Sequence, residues 1–423
     1  MTSRLPATIR NAAVWTRRFA RTAPGVITAV GAVLVILALV SGLLCVNQLG
    51  TKISRRDTVL AHTEPLADAA QRLYVALSSA DAAASTAFLS GGVESPVVHG
   101  RYEQALADAA GALAEATAGA TDSGTRLVLA QISEELPTYT GLVEAARADN
   151  RQNLPVGSAY LRQASTLMQG SLLKNAEALE NTRFGQLHDD QETISALPLW
   201  SVVALLLLLA ACGYGSWLLL RRTNRWLNPG VLAAAGAAVL ALLWIGATTV
   251  AATAAVDDGS GGATARFETL SRVRILAQQA RTEETLQLIT RGDINASEDR
   301  FNATSGQLRA QLQSVTGTDS DAAKAFSKWQ DGHHIEVAAY LSNDYRGAVT
   351  QAIGGDPASS ATLFTALDTA LQQDLQHTRQ QVRDGVNDAG NALLLSPWGT
   401  LVLLFAAGGA VGAGLWPRLK EFL

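Results

Sequence analysis

The residues best suited to chemistry in this 423-residue chain are the histidines and the glutamate of the run His333-His334-Ile335-Glu336. The surrounding apolar spacing predicts a helix, and neighbouring residues on a helix point about 100° apart. The two histidines therefore cannot bind one ion together, as histidines four residues apart can. We expect no metal ligands here, and histidines that face solvent or a partner.

Three arginines interrupt the apolar stripes of predicted helices: Arg72, Arg274 and Arg281. Arginine presents a planar fork of donors that matches a carboxylate. These residues are therefore candidates for binding a small carboxylate ligand. The alternative is that they face water or form ion pairs inside a helical bundle, because charged residues on a helix are usually exposed.

The sequence gives little support for catalysis or nucleic-acid binding. It contains no glycine-rich phosphate loop, no Gly-x-Ser-x-Gly turn and no His-Glu-x-x-His helix, so we expect no enzymatic activity and no cofactor. The formal net charge is -4, and no basic patch with interleaved aromatic residues lies outside the membrane flanks. His62 lies on an alanine-lined helix face, which predicts a buried core histidine rather than a pH switch.

Four apolar runs without Asp, Glu, Lys, Arg or His predict four spans of a lipid bilayer. Each has roughly the 20 residues that cross a hydrocarbon layer. The runs are Val26–Val46, Leu197–Leu220, Val231–Ala255 and Leu393–Trp416. No small-x-small cleavage site follows the first run, so we interpret it as an uncleaved anchor rather than a signal peptide. Pumps and coupled transporters usually place charged groups inside the membrane, so that class is not favoured.

The short segments beside the spans are basic. The amino-terminal tail contains several arginines and no acid, and the tail after the fourth span contains Arg418 and Lys420. The link after the second span contains Arg221, Arg222 and Arg225. The positive-inside rule therefore predicts a multi-pass plasma-membrane protein with both termini in the cytoplasm and two long polar blocks outside.

Both polar blocks have helical patterns throughout. In the first block, apolar residues recur at Val59, Leu66 and Leu73, the seven-residue repeat of a helix packed along its length against neighbours. Breaks of turn-forming residues separate helices near 53–90, 96–117, 124–148, 156–195, 260–291, 295–315, 319–342 and 358–392. The predicted fold is all-α, with four transmembrane helices and two duplicated extracytoplasmic antiparallel four-helix bundles.

Several landmarks recur after about two hundred residues. Pro24-Gly25-Val26 before the first span matches Pro229-Gly230-Val231 before the third, and Pro198 and Trp217 match Pro397 and Trp416. Gene duplication is the economical interpretation, with coincidence as the alternative. The predicted domains are a cytoplasmic tail 1–24, first span 25–48, first bundle 49–196, second span 197–220, cytoplasmic loop 221–228, third span 229–256, second bundle 257–392, fourth span 393–416 and tail 417–423.

Small residues line one face of the fourth span, at Gly408, Gly412 and Gly414. Such a face lets another helix approach closely. We expect the partner helix within the same chain, for example through Ala234 and Ala238 of the third span. A homodimer is the alternative.

The plan of span, long antiparallel helices and span resembles the extracytoplasmic four-helix-bundle sensor module of bacterial chemoreceptors and sensor kinases. The sequence departs from that group because no HAMP, kinase or adenylate-cyclase region follows the second or fourth span. We therefore expect another protein to generate the intracellular response. Four spans, duplicated bundles and little cytosolic sequence are similar to the actinobacterial GlnX-like membrane proteins. This resemblance implies a glutamine-binding lipoprotein outside and the soluble serine/threonine protein kinase G inside as partners.

The resulting prediction is a transmembrane signal transducer that relays amino-acid availability from an extracytoplasmic solute-binding lipoprotein to a cytosolic kinase. A direct receptor for a small carboxylate and an envelope scaffold without a sensing role are the alternatives. The candidate lipoprotein contacts, in the loops farthest from the membrane, are Gly91, Gly92, Glu94, Asn150, Arg151, Arg291, Asp293, Asp344 and Arg346. The candidate kinase contacts are Arg221, Arg222 and Arg225.

Overall fold

The computed structural model describes residues 23–91, 96–223, 228–256, 262–290 and 294–420. Every regular element in these ranges is helical, which confirms the all-α prediction. The α-helices are α1 Ala23–Thr58, α2 Glu64–Leu89, α3 Pro96–Gly119, α4 Ser123–Arg151, α5 Gly157–Leu167, α6 Leu173–Ser195, α7 Leu199–Thr223, α8 Pro229–Val256, α9 Ala263–Thr290, α10 Ile294–Thr316, α11 Asp321–Leu341, α12 Tyr345–Ile353, α13 Ser360–Leu393 and α14 Ser396–Lys420. Two π-helical turns, Val59–Thr63 and Met168–Leu172, join α1 to α2 and α5 to α6.

Helix α12 is missing from the sequence prediction, which treats residues 343–357 as a break. Asn343 has a left-handed φ of 64°, and Asp344 caps α12 by accepting a hydrogen bond from the Gly347 N–H at 2.8 Å. Gly354 follows as the C-cap. Residues typical of turns flank this short helix on both sides. The segment therefore has the composition of a loop, which is why the sequence does not predict α12.

The π-helical turn Val59–Thr63 lies at the start of the first block and contains His62. A π turn widens the helical repeat locally and so shifts its register. The predicted apolar face is buried at Val59, Leu66 and Leu73. His62 lies within the turn and is exposed. The prediction of a buried core histidine at this position is therefore wrong.

The chain divides into two compact units. The membrane unit comprises residues 1–57, 191–256 and 385–423, and the polar unit comprises residues 58–190 and 257–384. Helices α1, α7, α8 and α14 contain stretches that are long and apolar enough to cross a membrane. These are the four spans that the sequence predicts.

Small residues bring α8 and α14 into close contact in the membrane unit. A Cβ atom added at Gly230 would lie 2.4 Å from the Ala410 O, and one added at Gly414 would lie 2.7 Å from the Gly230 N. The small-residue face of the fourth span therefore packs within the chain at these positions. Gly412 has no atom of the described residues within 4 Å of a Cβ placed on it. The homodimer stays a prediction.

Lys52 joins α1 to the end of α6 in the membrane unit. Its ammonium group donates hydrogen bonds to the Ile194 O at 2.9 Å and to the Ala196 O. Carbonyl groups at the C-terminus of a helix lack partners within that helix. Lys52 therefore stabilises the break at which α6 ends and the chain turns into α7.

The two helical blocks of the polar unit pack against each other along α2 and α9. The core of the first block contains many alanines, such as Ala80 of α2 and Ala109 of α3. The core of the second block contains few alanines, and its largest side chains include Phe301 and Trp329. Ile275 of α9 packs into the core of the first block, so the blocks share apolar surface.

Polar contacts also connect the blocks. Glu64 at the start of α2 is fully buried, and it accepts hydrogen bonds from Arg379 and from Arg383 Nη1, the latter at 3.0 Å. Gln279 Nε2 donates to the Tyr74 OH at 3.0 Å. The sequence predicts two separate bundles, whereas these contacts lie inside one compact unit. The individual domain boundaries stay a prediction.

Candidate functional site

A cleft of about 1010 Å³ opens in the polar unit where the two blocks meet. Its walls come from α2 and α3 of the first block and from α9 and α13 of the second. Arg72, Arg274 and Arg281, the three candidate ligand-binding arginines, all lie at this cleft. The fold thus brings together arginines from both halves of the chain.

Two of these arginines are paired with acids on the cleft wall. Arg274 donates hydrogen bonds to Asp368 from Nε at 2.8 Å and from Nη2 at 3.0 Å. Arg72 donates to Asp68 at 2.9 Å and to the exposed Glu115. Both guanidinium groups therefore form ion pairs within the protein. This is the alternative to ligand binding that the sequence also allows. A small carboxylate would bind here by displacing or bridging those acids.

Arg281 lines the cleft and also contacts a buried polar cluster of the second block. Its guanidinium donates to Glu284, one turn further along α9, and to the Ala352 O at 2.9 Å. Glu284 is fully buried. It also accepts hydrogen bonds from Trp329 Nε1 at 3.2 Å and from Ser360 Oγ. Helices α9, α11 and α13 thus all supply donors to one carboxylate.

His333 and Glu336, one turn apart on α11, complete this cluster and are both fully buried. His333 Nδ1 lies 3.2 Å from Glu284 Oε1, and His333 Nε2 lies 2.9 Å from Glu298 Oε1. His334 is exposed, so the two neighbouring histidines face apart as their spacing predicts. The expectation that both face solvent or a partner is wrong for His333, because the buried face of α11 contains it.

The charges of the cluster change one another's affinity for protons. Burial opposes ionisation of Glu284, but Arg281 and the hydrogen bonds hold the pKa of Glu284 well below its usual range. Burial alone would lower the pKa of His333, yet hydrogen bonds to Glu284 and Glu298 raise it to about 9. Burial and the charge of Glu284 raise the pKa of Glu336 well above its usual range. Glu284 is therefore ionised at neutral pH, whereas His333 and Glu336 favour protonation.

Glu336 differs from the other members of the cluster because nothing donates to it. Neither carboxylate oxygen has a hydrogen-bond donor among the residues that the structure describes, although the side chain is fully buried and lies close to the carboxylate of Glu284. Burial of an unpaired carboxylate is costly. Glu336 therefore requires either a proton or a cation.

Sequence reasoning missed Glu284 and Glu298 as members of this cluster. They lie on α9 and α10, and only tertiary packing brings them to His333 on α11. A local signal existed for Glu336, because three-residue spacing places it on the same helical face as His333. That spacing is less conspicuous in the sequence than the adjacent pair His333-His334.

The candidate lipoprotein contacts that the structure describes lie at helix ends of the polar unit. Arg151 ends α4 and Arg346 lies in the first turn of α12, and both are exposed. Asp344 caps α12, and Gly91 follows α2 with a left-handed φ of 93°. Asn150 donates from Nδ2 to a carbonyl in the last turn of α2 at 3.0 Å. Four of these candidates lie outside the described residues: Gly92, Glu94, Arg291 and Asp293.

Among the candidate kinase contacts, Arg221 lies near the end of α7 with an exposed side chain. Its guanidinium carbon lies 3.9 Å from the ring centroid of Trp217. Such a contact is a cation–π interaction, and tryptophan is enriched at membrane interfaces. Arg222 follows in α7, and Arg225 and the basic tail before residue 23 lie outside the described residues.

The helices and spans define an all-helical, multi-pass membrane protein with a large polar unit. Residues 55–192 match the family model of the actinobacterial sensor domain. The match begins near the end of α1 and covers the first helical block. It supports an actinobacterial sensor protein and hence a sensing role for the chain. Comparisons with curated proteins and with solved structures find no match.

Proposed function

We propose that the protein is a transmembrane signal transducer that relays extracytoplasmic amino-acid availability to a cytosolic serine/threonine kinase. One observation carries the proposal: the block that matches the sensor family continues into a membrane span without a helical break. Helix α1, the π turn Val59–Thr63 and α2 form one helical stretch, Gly25–Leu89, of 65 residues. Helix shifts of about 1–2 Å are a common form of signal in proteins. A displacement of α2 would therefore be transmitted along the continuous helix to the membrane span.

The proposed partners are a solute-binding lipoprotein outside the cell and a protein kinase inside it. The basic segments support this orientation through the positive-inside rule. The exposed Arg151 and Arg346 at helix ends of the polar unit are the proposed lipoprotein contacts. Arg221 and Arg222, together with Arg225 and the basic amino-terminal tail, are the proposed kinase contacts.

Direct binding of a small carboxylate is the second candidate function, and the cleft favours it. Its volume of about 1010 Å³ is large enough for an amino acid. Arg72 and Arg274 lie on the opening helices of the two blocks and both reach this cleft. A carboxylate between them would connect the blocks through charge-assisted hydrogen bonds.

Calorimetry of the full chain in lipid nanodiscs separates these functions. Heat on titration with an amino acid alone, such as L-glutamine or L-glutamate, supports the direct receptor. Heat that requires an amino-acid-loaded solute-binding lipoprotein supports the relay. No heat in either titration contradicts both functions and favours an envelope scaffold.

Two variants give matched controls for that titration. Arg274→Gln removes a cleft donor and should abolish heat from an amino acid alone, while binding of the lipoprotein is retained. Arg346→Glu reverses a charge at a helix end and should have the opposite effects. Loss of both signals in both variants would contradict the division of roles between cleft and helix ends.

Charge reversal on the cytosolic side tests the proposed kinase contact. In cells with Arg221→Glu and Arg222→Glu, phosphorylation of kinase substrates should no longer respond to amino acids. Reporter fusions must first show that the topology is unchanged, because these arginines also orient the spans. A response equal to that of the unaltered chain would contradict the contact.

A further inference from the structure

The buried cluster of the second block contains a group that the proposed signalling role does not use. Glu336 is fully buried, and neither of its carboxylate oxygens has a donor among the described residues. The neighbouring Glu284, by contrast, contacts four polar groups: Arg281, Trp329, Ser360 and His333. A buried carboxylate without donors is stable only when it binds a proton or a cation.

The charges around Glu336 match a divalent cation. With a neutral imidazole at His333, the cluster has one positive charge on Arg281 and three negative charges on Glu284, Glu298 and Glu336. One divalent cation neutralises the two excess negative charges. Two protons, on His333 and Glu336, would neutralise them equally. Bound metal and two bound protons are therefore competing states of the same cluster.

We propose that Glu284, His333 and Glu336 bind one divalent transition-metal ion. One ligand atom from each of these residues lies within 4.8 Å of the other two. Ligand atoms around a tetrahedral zinc ion are about 3.4 Å apart, because the bonds are about 2.0–2.2 Å long. Small side-chain rotations are enough to bring the three ligand atoms to the spacing that a zinc ion requires. His333 and Glu336 share one face of α11, and Glu284 approaches from α9.

Glu298 is the positioning residue of the proposed site. Its Oε1 lies 2.9 Å from His333 Nε2, on the side of the ring opposite Glu284. When Nε2 donates its proton to Glu298, the lone pair of Nδ1 points toward Glu284 and the ion. A carboxylate behind a metal-binding histidine fixes the tautomer of the ring and makes it a stronger ligand.

The donor set favours a transition metal over calcium or magnesium. One imidazole nitrogen with carboxylate oxygens suits Zn²⁺ or Mn²⁺, whereas Ca²⁺ and Mg²⁺ prefer oxygen ligands alone. Arg281 provides the route to the site, since it lines the cleft and also contacts Glu284. A change of its rotamer would open the cluster to the cleft.

Metal titration of the full chain tests the proposal. The chain is purified in detergent without a polyhistidine tag, treated with a chelator and titrated with Zn²⁺ against a chromophoric chelator. We expect one Zn²⁺ per chain, no competition by Mg²⁺, and release of about two protons per ion, seen as a buffer-dependent heat. Glu336→Gln should weaken Zn²⁺ binding at least about 100-fold, and Glu298→Gln about 10-fold.

His334→Gln is the matched control, because His334 neighbours the site on α11 but is exposed. It should bind Zn²⁺ as tightly as the unaltered chain. Circular dichroism and the Tm of each variant report whether the fold is retained, and the nearly isosteric glutamine keeps the cluster filled. The proposal is overturned if the unaltered chain binds neither Zn²⁺ nor Mn²⁺ at micromolar concentrations. It is equally overturned if Glu336→Gln and His334→Gln bind Zn²⁺ alike.

Discussion

The buried polar centres of the two helical blocks share a plan and differ in charge. In the first block, Asp81 of α2 accepts hydrogen bonds from the Tyr139 OH of α4 at 3.3 Å and from the Ser165 Oγ of α5 at 2.9 Å. Both donors are neutral. Burial raises the pKa of Asp81 to about 6 despite them. The first centre therefore contains an acid that changes its charge near neutral pH.

In the second block, Glu284 of α9 takes the place of Asp81. It too accepts hydrogen bonds from an aromatic donor on the third helix, Trp329, and from a serine on the last helix, Ser360. Arg281 and His333 are additional partners with no counterpart around Asp81 among the described contacts. The permanent charge of Arg281 keeps Glu284 ionised. At Glu284 and Arg281 the second centre therefore has a fixed ion pair where the first has a titrating acid.

This shared plan supports the prediction of gene duplication. The third helix of each block also ends in the same way. Asn153 and Asn343 have left-handed φ values of 56° and 64°, and the backbone N–H groups of Leu154 and Asp344 each donate back into the last turn at 2.9 Å. Such turns close a helix with a left-handed residue. Neither feature follows from the membrane spans, so both are independent of the landmarks seen in the sequence.

Removal of the fixed positive charge should have the largest effect on stability. Arg281→Met leaves Glu284 buried with His333 as its remaining cationic partner among the described residues. The loss of the permanent charge should lower the free energy of unfolding by about 3–5 kcal/mol. Arg272→Met is the matched control on the same helix, because the Arg272–Glu268 pair is exposed and should cost below about 1 kcal/mol. Denaturant unfolding of the full chain in detergent measures both losses. Similar small losses would mean that the second centre does not depend on fixed charge.

The titrating acid of the first centre should give the next largest effect, and it depends on pH. The pKa of Asp81 rises from 3.8 to about 6 in the folded state, so folding favours the protonated form. The contribution of Asp81 to stability is therefore fully present below about pH 4 and is lost as the pH rises through about 6. Asp81→Asn stays neutral and should stabilise the chain by about 3 kcal/mol above that range and hardly at all below it.

Thermal unfolding of Asp81→Asn near pH 4 and near pH 7.5 measures this difference. The Tm of the variant should exceed that of the unaltered chain only at the higher pH. A gain of equal size at both pH values would show that the charge of Asp81 is not its cause.

The two serines should contribute unequally, although they occupy equivalent places. Ser165→Ala removes one of the few donors to Asp81 and should cost about 1–2 kcal/mol. Ser360→Ala leaves Glu284 with Arg281 and two other partners, so the cost should stay below about 1 kcal/mol. Denaturant unfolding of both variants at one pH gives the comparison. Equal costs would contradict the different numbers of donors inferred for the two centres.

Much of the fold follows from the sequence because its signals are local. Apolar periodicity and breaks predict helices near 96–117 and 295–315, and the structure has them at Pro96–Gly119 and Ile294–Thr316. The buried clusters do not follow, since the rotation of each helix about its own axis depends on its neighbours. His62 illustrates the difference, because it lies exposed within a π turn that the residues of Val59–Thr63 do not predict.

The smallest expected difference between the two blocks concerns the left-handed turns that end α4 and α11. An alanine at a left-handed φ has its Cβ close to the following carbonyl oxygen, and asparagine tolerates this conformation better. Asn153→Ala and Asn343→Ala should therefore each lower the free energy of unfolding by about 1 kcal/mol. Asn153→Gly and Asn343→Gly are the controls and should be nearly neutral, because glycine has no Cβ. The two turns share backbone hydrogen bonds but precede different segments, since α12 starts directly after Asn343. A larger loss of unfolding free energy for Asn343→Ala than for Asn153→Ala would therefore mean that α12 depends on the turn. The two blocks would then not be equivalent beyond Asn343.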